Sequence, residues 1–322
     1  MTVREACDAY LRELEARNTR KSTRESYRSL FKQLAAFARD EGLETLGDID
    51  RAAARRWRES WTWAPKTQQR IFAQLKAFFG FAVSEGWTSV SPVAGIRPPK
   101  LDAAPTLPLS VDEMRRLLAA SAALPKEQAL FLLMRYSGLA IRDAATLGRD
   151  SLRPTGDLVL RRAKTGELVC VALPDAVLAA LDVAAPGRPH FFWTGRSEPP
   201  TAAKLWRRRL GAVAAAARVE GFHPHRLRDT FAVELLLAGV QIEDVSTLLG
   251  HSSVTTTERH YAPWNLARAD RLGRIVRKAH RRDPLLAEFT PKKPAGSAHH
   301  APPAEASLAT SSVPKPTRRA YA

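Results

Sequence analysis

Cysteine is scarce in this sequence, and long apolar runs are missing. Cys7 and Cys170 are the two cysteines among 322 residues, and they lie far apart, which excludes a disulfide framework and a cysteine metal site. No apolar run approaches the roughly 20 residues needed to span a bilayer, so a membrane-spanning helix is excluded. The first residues lack an apolar signal core and are typical of the first helix of a folded domain. We therefore expect a cytoplasmic protein of bacterial type.

Acidic residues are too few to balance the basic ones. The chain has 50 Lys and Arg residues against 33 Asp and Glu residues, a formal net charge of +17 at pH 7. Such an excess suits a polyanionic partner such as nucleic acid. The alternative is a basic protein from a GC-rich genome, in which arginine replaces lysine. Charge alone therefore favours nucleic-acid binding but does not distinguish DNA from RNA.

The first part of the chain predicts an all-helical domain over residues 1–95. Apolar residues recur at helical spacing in 22–42 and again in 66–86. Residues 96–109, which follow, are rich in proline and have almost no periodicity. This composition is typical of an extended interdomain linker.

A second domain is predicted over residues 110–284. A capping box at Ser110 predicts that a helix begins there. Further on the hydrophobic period changes to two on either side of a turn at Lys164, which predicts a β-hairpin. Residues 285–322 form a basic tail rich in Pro, Ala and Ser. Because this tail cannot bury enough apolar surface to fold alone, we expect it to be disordered.

The segment from His223 to Tyr261 carries groups suited to phosphate chemistry. His225 and Arg228 lie one helical turn apart, so both can project toward one ligand. A Leu-Gly-His sequence ends at His251, and Tyr261 follows ten residues later. Each feature alone has an ordinary explanation, such as a packed tyrosine, a capping histidine or a chance spacing. Together they supply a nucleophile, a guanidinium that grips two phosphate oxygens and two imidazoles.

This segment resembles the catalytic box of the tyrosine recombinases, the phage-integrase family. The resemblance extends over nearly the whole chain outside the tail, including the helical front domain, the linker and the hairpin. It implies a mainly α fold, with an N-terminal helical, SAM-like core-binding domain. The second domain is then a mixed α+β catalytic domain of the DNA breaking-rejoining type, with a small antiparallel sheet.

The resemblance also implies a reaction and its partners. Tyr261 attacks a DNA phosphate and leaves a 3′-phosphotyrosyl link, while Arg228, His225 and His251 stabilise the phosphate charge. Lys164 in the hairpin is the general acid for the departing 5′-oxygen, although Lys-Thr-Gly is also ordinary turn chemistry. No metal, ATP or other cofactor is implied. The expected partner is double-stranded DNA at the nucleoid, bound by a homo-tetramer on paired sites.

Basic residues of the front domain are candidate DNA contacts beside such a catalytic domain. The ordinary explanation for any one of them is a solvated helix face, but as a set they are suited to phosphate contacts. The candidates are Arg20, Lys21, Arg24, Lys66 and Arg70.

Two positions depart from the family pattern, and the first, Asp229 in place of a second histidine after Arg228, falls where the family is variable. The second concerns the first catalytic arginine. Where the pattern has Gly-Leu-Arg, this chain has Ala140, and the nearest arginine is Arg142. We assign the role of the first arginine to Arg142, provided that residues 138–142 enter the helix as a loop. Arg135 from the preceding turn, or no substitute at all, are the alternatives. We expect the competing nucleophile Tyr136 to lie in the core.

Two other functions remain open at this stage. A type IB topoisomerase shares this active-site chemistry but only relaxes supercoils. A catalytically inactive DNA-binding relative is the second alternative, and Ala140 is the residue that favours it.

Overall fold

The structure, a computed structural model, describes residues 1–100, 107–261, 264 and 266–281. The chain divides into two compact units, Met1–Ala104 and Pro105–Ala322. The tail predicted over 285–322 lies outside the described residues. The domain limits set from the sequence at 95, 109 and 284 stay predictions.

Four helices build the front unit around an aromatic core. Thr2 begins the first helix with a reciprocal capping box to Glu5, as its sequence favours. Tyr10 meets Tyr27 and Phe78 edge-on, with ring centroids 5.3 and 5.5 Å apart, the geometry that aromatic quadrupoles prefer. The helices are α1 (Val3–Ala16), α2 (Lys21–Asp40), α3 (Arg51–Glu59) and α4 (Pro65–Ser84).

The second unit is also mainly helical. The capping box predicted at Ser110 is present, and α5 begins directly after it. The helices are α5 (Val111–Ala120), α6 (Pro125–Ser137), α7 (Ile141–Ala145), α8 (Asp175–Ala184), α9 (Pro199–Ala216), α10 (His225–Leu237), α11 (Ile242–Leu249), α12 (Val254–Tyr261) and α13 (Leu266–His280). Within the described residues, no helix is both long and apolar enough to cross a membrane.

A two-stranded antiparallel sheet interrupts these helices. Strand β1 (Asp157–Arg161) pairs with β2 (Leu168–Ala172), and Val159 lies opposite Cys170. The turn between the strands contains Gly166 at φ +80°, a left-handed conformation that glycine adopts without a Cβ clash. The predicted hairpin is therefore confirmed, as is a mainly α fold with one small antiparallel sheet.

Two apolar cores hold the second unit together. The larger packs α6 against α8 and α9, with Phe131, Leu181 and Trp206 buried at its centre. The smaller joins β2 to α10, α11 and α12, and it includes Tyr261. The tyrosine predicted to be the nucleophile is thus part of a core.

Tyr136 contradicts its sequence-based prediction. It is 41% exposed rather than buried. The apolar stretch around it forms α6, whose buried side is carried by other residues such as Leu133 and Met134. The guanidinium of Arg135 lies 5.0 Å from the centroid of the Tyr136 ring. Apolar neighbours in the sequence therefore do not show that the Tyr136 side chain lies on the buried face of α6.

Candidate active site

Arg228 is held at the centre of the site by backbone carbonyls. It lies on the buried face of α10 and is only 3% exposed. Its Nη1 donates to the carbonyl of Gly138 at 2.6 Å, and its Nη2 donates to that of Leu249 at 2.8 Å. Burial, followed by repulsion from Arg162, lowers the pKa of Arg228 to about 10. The guanidinium therefore remains charged at neutral pH, in a fixed orientation.

Two left-handed glycines present those carbonyls. Gly138 ends α6 at φ +64°, and Gly250 ends α11 at φ +62°. A Cβ at Gly138 would collide with the ring of Phe231. A Cβ at Gly250 would lie 2.7 Å from Cγ of Arg162. Both positions therefore require glycine for space as well as for backbone conformation.

His251 joins Arg228 through a hydrogen bond of defined direction. Nη2 of Arg228 lies 2.9 Å from Nε2 of His251, and Nδ1 of His251 lies 2.8 Å from Oγ1 of Thr257. A guanidinium can only donate, so Nε2 accepts and the ring proton resides on Nδ1. Burial and the nearby arginines lower the pKa of His251 to about 4. His251 is therefore a neutral imidazole at pH 7.

Tyr261 is turned inward at the end of α12. Its side chain is 2% exposed, and its hydroxyl donates to Oδ1 of Asp229 at 2.7 Å. Burial, then the charge and hydrogen bond of Asp229, raise the pKa of Tyr261 well above its ordinary value. In this conformation the phenol is protonated and shielded from solvent.

Asp229 connects Tyr261 to His225. Nε2 of His225 lies 3.5 Å from the same Oδ1 atom that accepts the tyrosine hydroxyl. The side chain of His225 is 60% exposed, whereas that of Asp229 is 9% exposed. His225 thus lies at the surface of the site and Asp229 beneath it. From the sequence, Asp229 was noted only as the residue in place of a second histidine after Arg228, and no role was assigned to it.

Arg162 is a second buried arginine that the sequence reasoning missed. It is 6% exposed. Its Nε donates to Oδ2 of Asp143 at 2.6 Å, and its Nη1 donates to the carbonyl of Leu249 at 2.5 Å. The same carbonyl accepts from Arg228, so the two guanidinium groups lie side by side. Alternation along β1 could have revealed it, because Arg162 continues the inward face of Leu158.

Lys164 lies in the turn of the hairpin. It is exposed, and its neighbour Thr165 donates from Oγ1 to the carbonyl of Gly250 at 3.1 Å. The turn is thereby tied to the backbone just before His251. The role of Lys164 as general acid stays a prediction.

Arg142 and Arg135 are not bonded to this cluster in the described part of the chain. Arg142 is exposed on the short helix α7, one residue before buried Asp143. In the described part of the chain, no hydrogen bond or ion pair links the Arg142 side chain to Arg228 or His251. Arg135 instead forms an ion pair with Glu234. The assignment of Arg142 as the first arginine is therefore without structural support.

The predicted DNA-binding residues lie at or near the N-terminal ends of α2 and α4. Four are exposed, whereas Arg24 is half-buried and donates to the carbonyl of Thr19. Arg70 donates from Nη1 to Oγ of Ser26 at 2.5 Å, which brings the two helices together at this end. The exposed four are Arg20, Lys21, Lys66 and Arg70. Their contact with DNA stays a prediction.

Within the described residues, no group of three or more His, Cys, Asp and Glu side chains is arranged to hold a metal ion.

The fold and the site define a class of protein: a two-unit helical protein with a tyrosine, histidine and arginine centre. The Phage integrase family profile matches residues 108–267, and that of the Phage integrase, N-terminal SAM-like domain matches 7–86. Tyrosine recombinase XerD of Xanthomonas axonopodis pv. citri is 30% identical over 272 residues, 74% of this chain and 86% of the relative. Tyrosine recombinase XerC of Rhodospirillum centenum is 31% identical over 281 residues, 80% of this chain and 82% of the relative.

Solved structures agree on the fold. A lambda integrase(75-356) dimer bound to a COC' core site has a TM-score of 0.67 at 21% identity, covering 80% of this chain and 97% of that one. A lambda integrase tetramer bound to a Holliday junction has a TM-score of 0.65 at 22% identity, covering 79% of each chain. The chain belongs to the phage integrase family, and it is a tyrosine-type site-specific recombinase. This confirms the family and the SAM-like front domain expected from the sequence.

Proposed function

We propose that the chain cuts and rejoins DNA strands through a 3′-phosphotyrosyl intermediate on Tyr261. The observation that carries this proposal is the convergence of Arg228, His251 and Tyr261 around α10. Arg228 donates to His251, and the next residue, Asp229, accepts from Tyr261. A nucleophile, its proton acceptor and a fixed cation are thus assembled within one small region.

Arg228 is suited to bind the phosphate before the chemical step. A guanidinium has five N–H donors, and described residues accept three of the hydrogen bonds from Arg228. The remaining donors are available to non-bridging phosphate oxygens. Their attraction increases as negative charge accumulates in the transition state.

Strand cleavage is a transesterification. The Tyr261 oxygen forms a bond to phosphorus, and the bond from phosphorus to the 5′-oxygen breaks. The phenol proton passes to Asp229, and Lys164 gives a proton to the departing 5′-oxygen. A 5′-hydroxyl of the partner strand reverses these steps to rejoin DNA. The ester conserves the bond energy and Arg228 supplies positive charge, so the scheme requires no metal ion, ATP or other cofactor.

Cleavage requires Tyr261 to leave its core position. In the described conformation the hydroxyl is bound to Asp229 and shielded from solvent. The end of α12 must therefore move so that the phenol oxygen reaches a phosphate held by Arg228 while its proton remains within reach of Asp229. This conformation is then an inactive one, which protects DNA from cleavage before the complex is assembled.

Double-stranded DNA and further copies of the chain are the proposed partners, at the bacterial nucleoid in the cytoplasm. The net charge of +17 and the DNA-bound states of the lambda integrase structures support DNA. Leu272, Ile275 and Val276 form one stripe on α13 and are 46%, 55% and 48% exposed. An exposed stripe of this kind suits docking on a neighbouring copy. We propose a homo-tetramer on paired sites.

Covalent capture tests the proposed function. The chain is expressed in a bacterial host, adducts of protein and DNA are isolated under denaturing conditions, and the attached sequences are read. A duplex with that sequence and a nick near the cleavage point then serves as a substrate that cannot be religated. We expect covalent product with the unmodified chain and none with Tyr261→Phe.

Two outcomes would contradict this proposal. Absence of capture by the unmodified chain would indicate a DNA-binding relative without activity. Rapid relaxation of supercoiled plasmid that lacks the captured site would instead indicate a topoisomerase. Binding of the same duplex by Tyr261→Phe serves as the control for folding.

A further inference from the structure

We propose that Arg162 is the second guanidinium that binds the scissile phosphate. This inference rests on the proposed function and adds a catalytic residue to it. Arg142, the residue assigned from the sequence, is exposed on α7. Arg162 is instead buried beside Arg228, which the proposed function already places on the phosphate.

The two arginines form a pair that suits an anion. Both donate to the carbonyl oxygen of Leu249, at 2.5 Å from Arg162 and 2.8 Å from Arg228. Two like charges held side by side away from solvent repel one another. A bound phosphate would relieve this repulsion, because its negative oxygens interact with both groups.

The side chain of Arg162 is fixed before any ligand arrives. Oδ2 of Asp143 accepts a hydrogen bond from Nε of Arg162, and Oδ1 of Asp143 accepts one from the backbone N–H of Ala163. Gly250 leaves room for its aliphatic stem. Among the described residues, no hydrogen bond occupies Nη2. The bonds to Nε and Nη1 therefore orient the guanidinium of Arg162, and Nη2 is left to donate to a ligand.

The position of Arg162 also connects it to the predicted general acid. Its backbone N–H donates to the carbonyl of Glu167, and its carbonyl accepts from Gly166, so it closes the turn that contains Lys164. Arg162 thus bridges this turn and the Leu249–His251 segment. A second guanidinium at this point compensates for Ala140, where the family pattern has an arginine.

A merely structural Arg162 would also impair cleavage, so the test measures charge recognition at the phosphate. The nicked duplex described above is made with a natural phosphate or with a methylphosphonate at the cleavage point. The methylphosphonate replaces one charged oxygen by a neutral methyl group. Loss of an arginine that binds this charged oxygen should slow capture of the methylphosphonate less than capture of the natural phosphate. A variant with a misfolded site should instead capture both substrates slowly.

On the natural phosphate, Arg162→Ala is expected to slow capture by about 10² to 10³-fold, the usual effect of removing one transition-state donor. On the methylphosphonate, capture by Arg162→Ala should be less than about tenfold slower than capture by the unmodified chain. Arg161→Ala is the matched control, because Arg161 precedes it in the hairpin and is exposed. This control should capture both substrates at nearly the unmodified rate.

Two further variants keep the test decisive if Arg162→Ala folds poorly. Arg162→Lys keeps the charge and should capture the natural phosphate faster than Arg162→Ala. The double variant Ala140→Arg, Arg162→Ala restores an arginine at the position where the family pattern has one. It should capture the natural phosphate at least about tenfold faster than Arg162→Ala alone. Thermal unfolding and binding of the uncleaved duplex report on the fold of each variant.

The outcomes separate this inference from the proposed function. If the unmodified chain captures no DNA, the function itself fails and the inference fails with it. If the unmodified chain captures DNA and Arg162→Ala matches it, only the inference is overturned. An equal deficit of Arg162→Ala on both substrates would likewise reduce Arg162 to a structural residue.

Discussion

Protonation of His251 should destabilise the catalytic unit as the pH falls. The ring nitrogen Nε2 accepts from Arg228, so protonation removes that bond and places a third positive charge beside Arg228 and Arg162. His260 and His225 lower the pKa of His251 further, and the folded value is about 4 against 6.5 for a free histidine. A group whose pKa is depressed on folding stabilises the protein above its unfolded pKa. That contribution is lost as the pH falls from 6.5 toward 4.

The magnitude follows from the two pKa values. Between pH 7 and pH 5, the unfolded chain takes up a proton on this histidine while the folded chain mostly does not. One pKa unit corresponds to about 1.4 kcal/mol, so the free energy of unfolding should fall by about 2 kcal/mol over this interval. His251→Gln lacks the titrating ring, so its loss over the same interval should be about 2 kcal/mol smaller.

Two measurements check this. Urea unfolding at pH 7 and pH 5 gives the stability of both proteins, and the other histidines largely cancel in the comparison. A proton NMR titration of the His251 ring, assigned by its absence from His251→Gln, gives the pKa directly. A midpoint near 6.5, or a stability difference independent of pH, would refute the proposed hydrogen bond from Arg228 to a neutral ring.

Two other predictions concern the neighbours of this ring. Gly250→Ala should destabilise the second unit by about 1 to 3 kcal/mol in urea unfolding and slow DNA capture, because the new Cβ meets Arg162 and Val169 at 2.7 Å. Gly239→Ala is its control, since Gly239 also has positive φ but no atom within 4 Å of the new Cβ; equal effects would exclude a role for the contact with Arg162. Asp229→Asn removes the charge that helps to raise the pKa of Tyr261, so the ultraviolet titration of that phenol should shift to lower pH, with Tyr261→Phe identifying its signal. An unchanged titration would contradict an effect of the Asp229 charge on that phenol.

Local signals in the sequence predicted the elements of the fold. Ser110 lies three residues before a glutamate, and this local pattern identified the start of α5. Alternating apolar residues on either side of Lys164 identified the hairpin. The spacing of His225 and Arg228 placed both on one helix. Each inference needed only neighbours within a few residues, where backbone geometry dominates.

Contacts between residues far apart in the sequence could not be predicted from such local patterns. The pairing of Arg162 with Asp143 and the bond from Tyr261 to Asp229 join residues from different elements. Nothing within a few residues of Arg162 shows that Leu249 accepts its Nη1. Tyr136 was misplaced for a related reason, because the inner face of α6 is set by its partners α8 and α9 rather than by average polarity.

The carbonyl of Leu249 has a consequence for how this centre tolerates mutation. It belongs to the last turn of α11, the negative end of a helix dipole, which is where a cation is favoured. Because the acceptor is a main-chain atom, no replacement of the Leu249 side chain by another residue deletes it. Insertions or deletions that move the end of α11 would displace both arginines together. The arrangement is therefore expected to be robust to point substitution at Leu249 and sensitive to the length of α11.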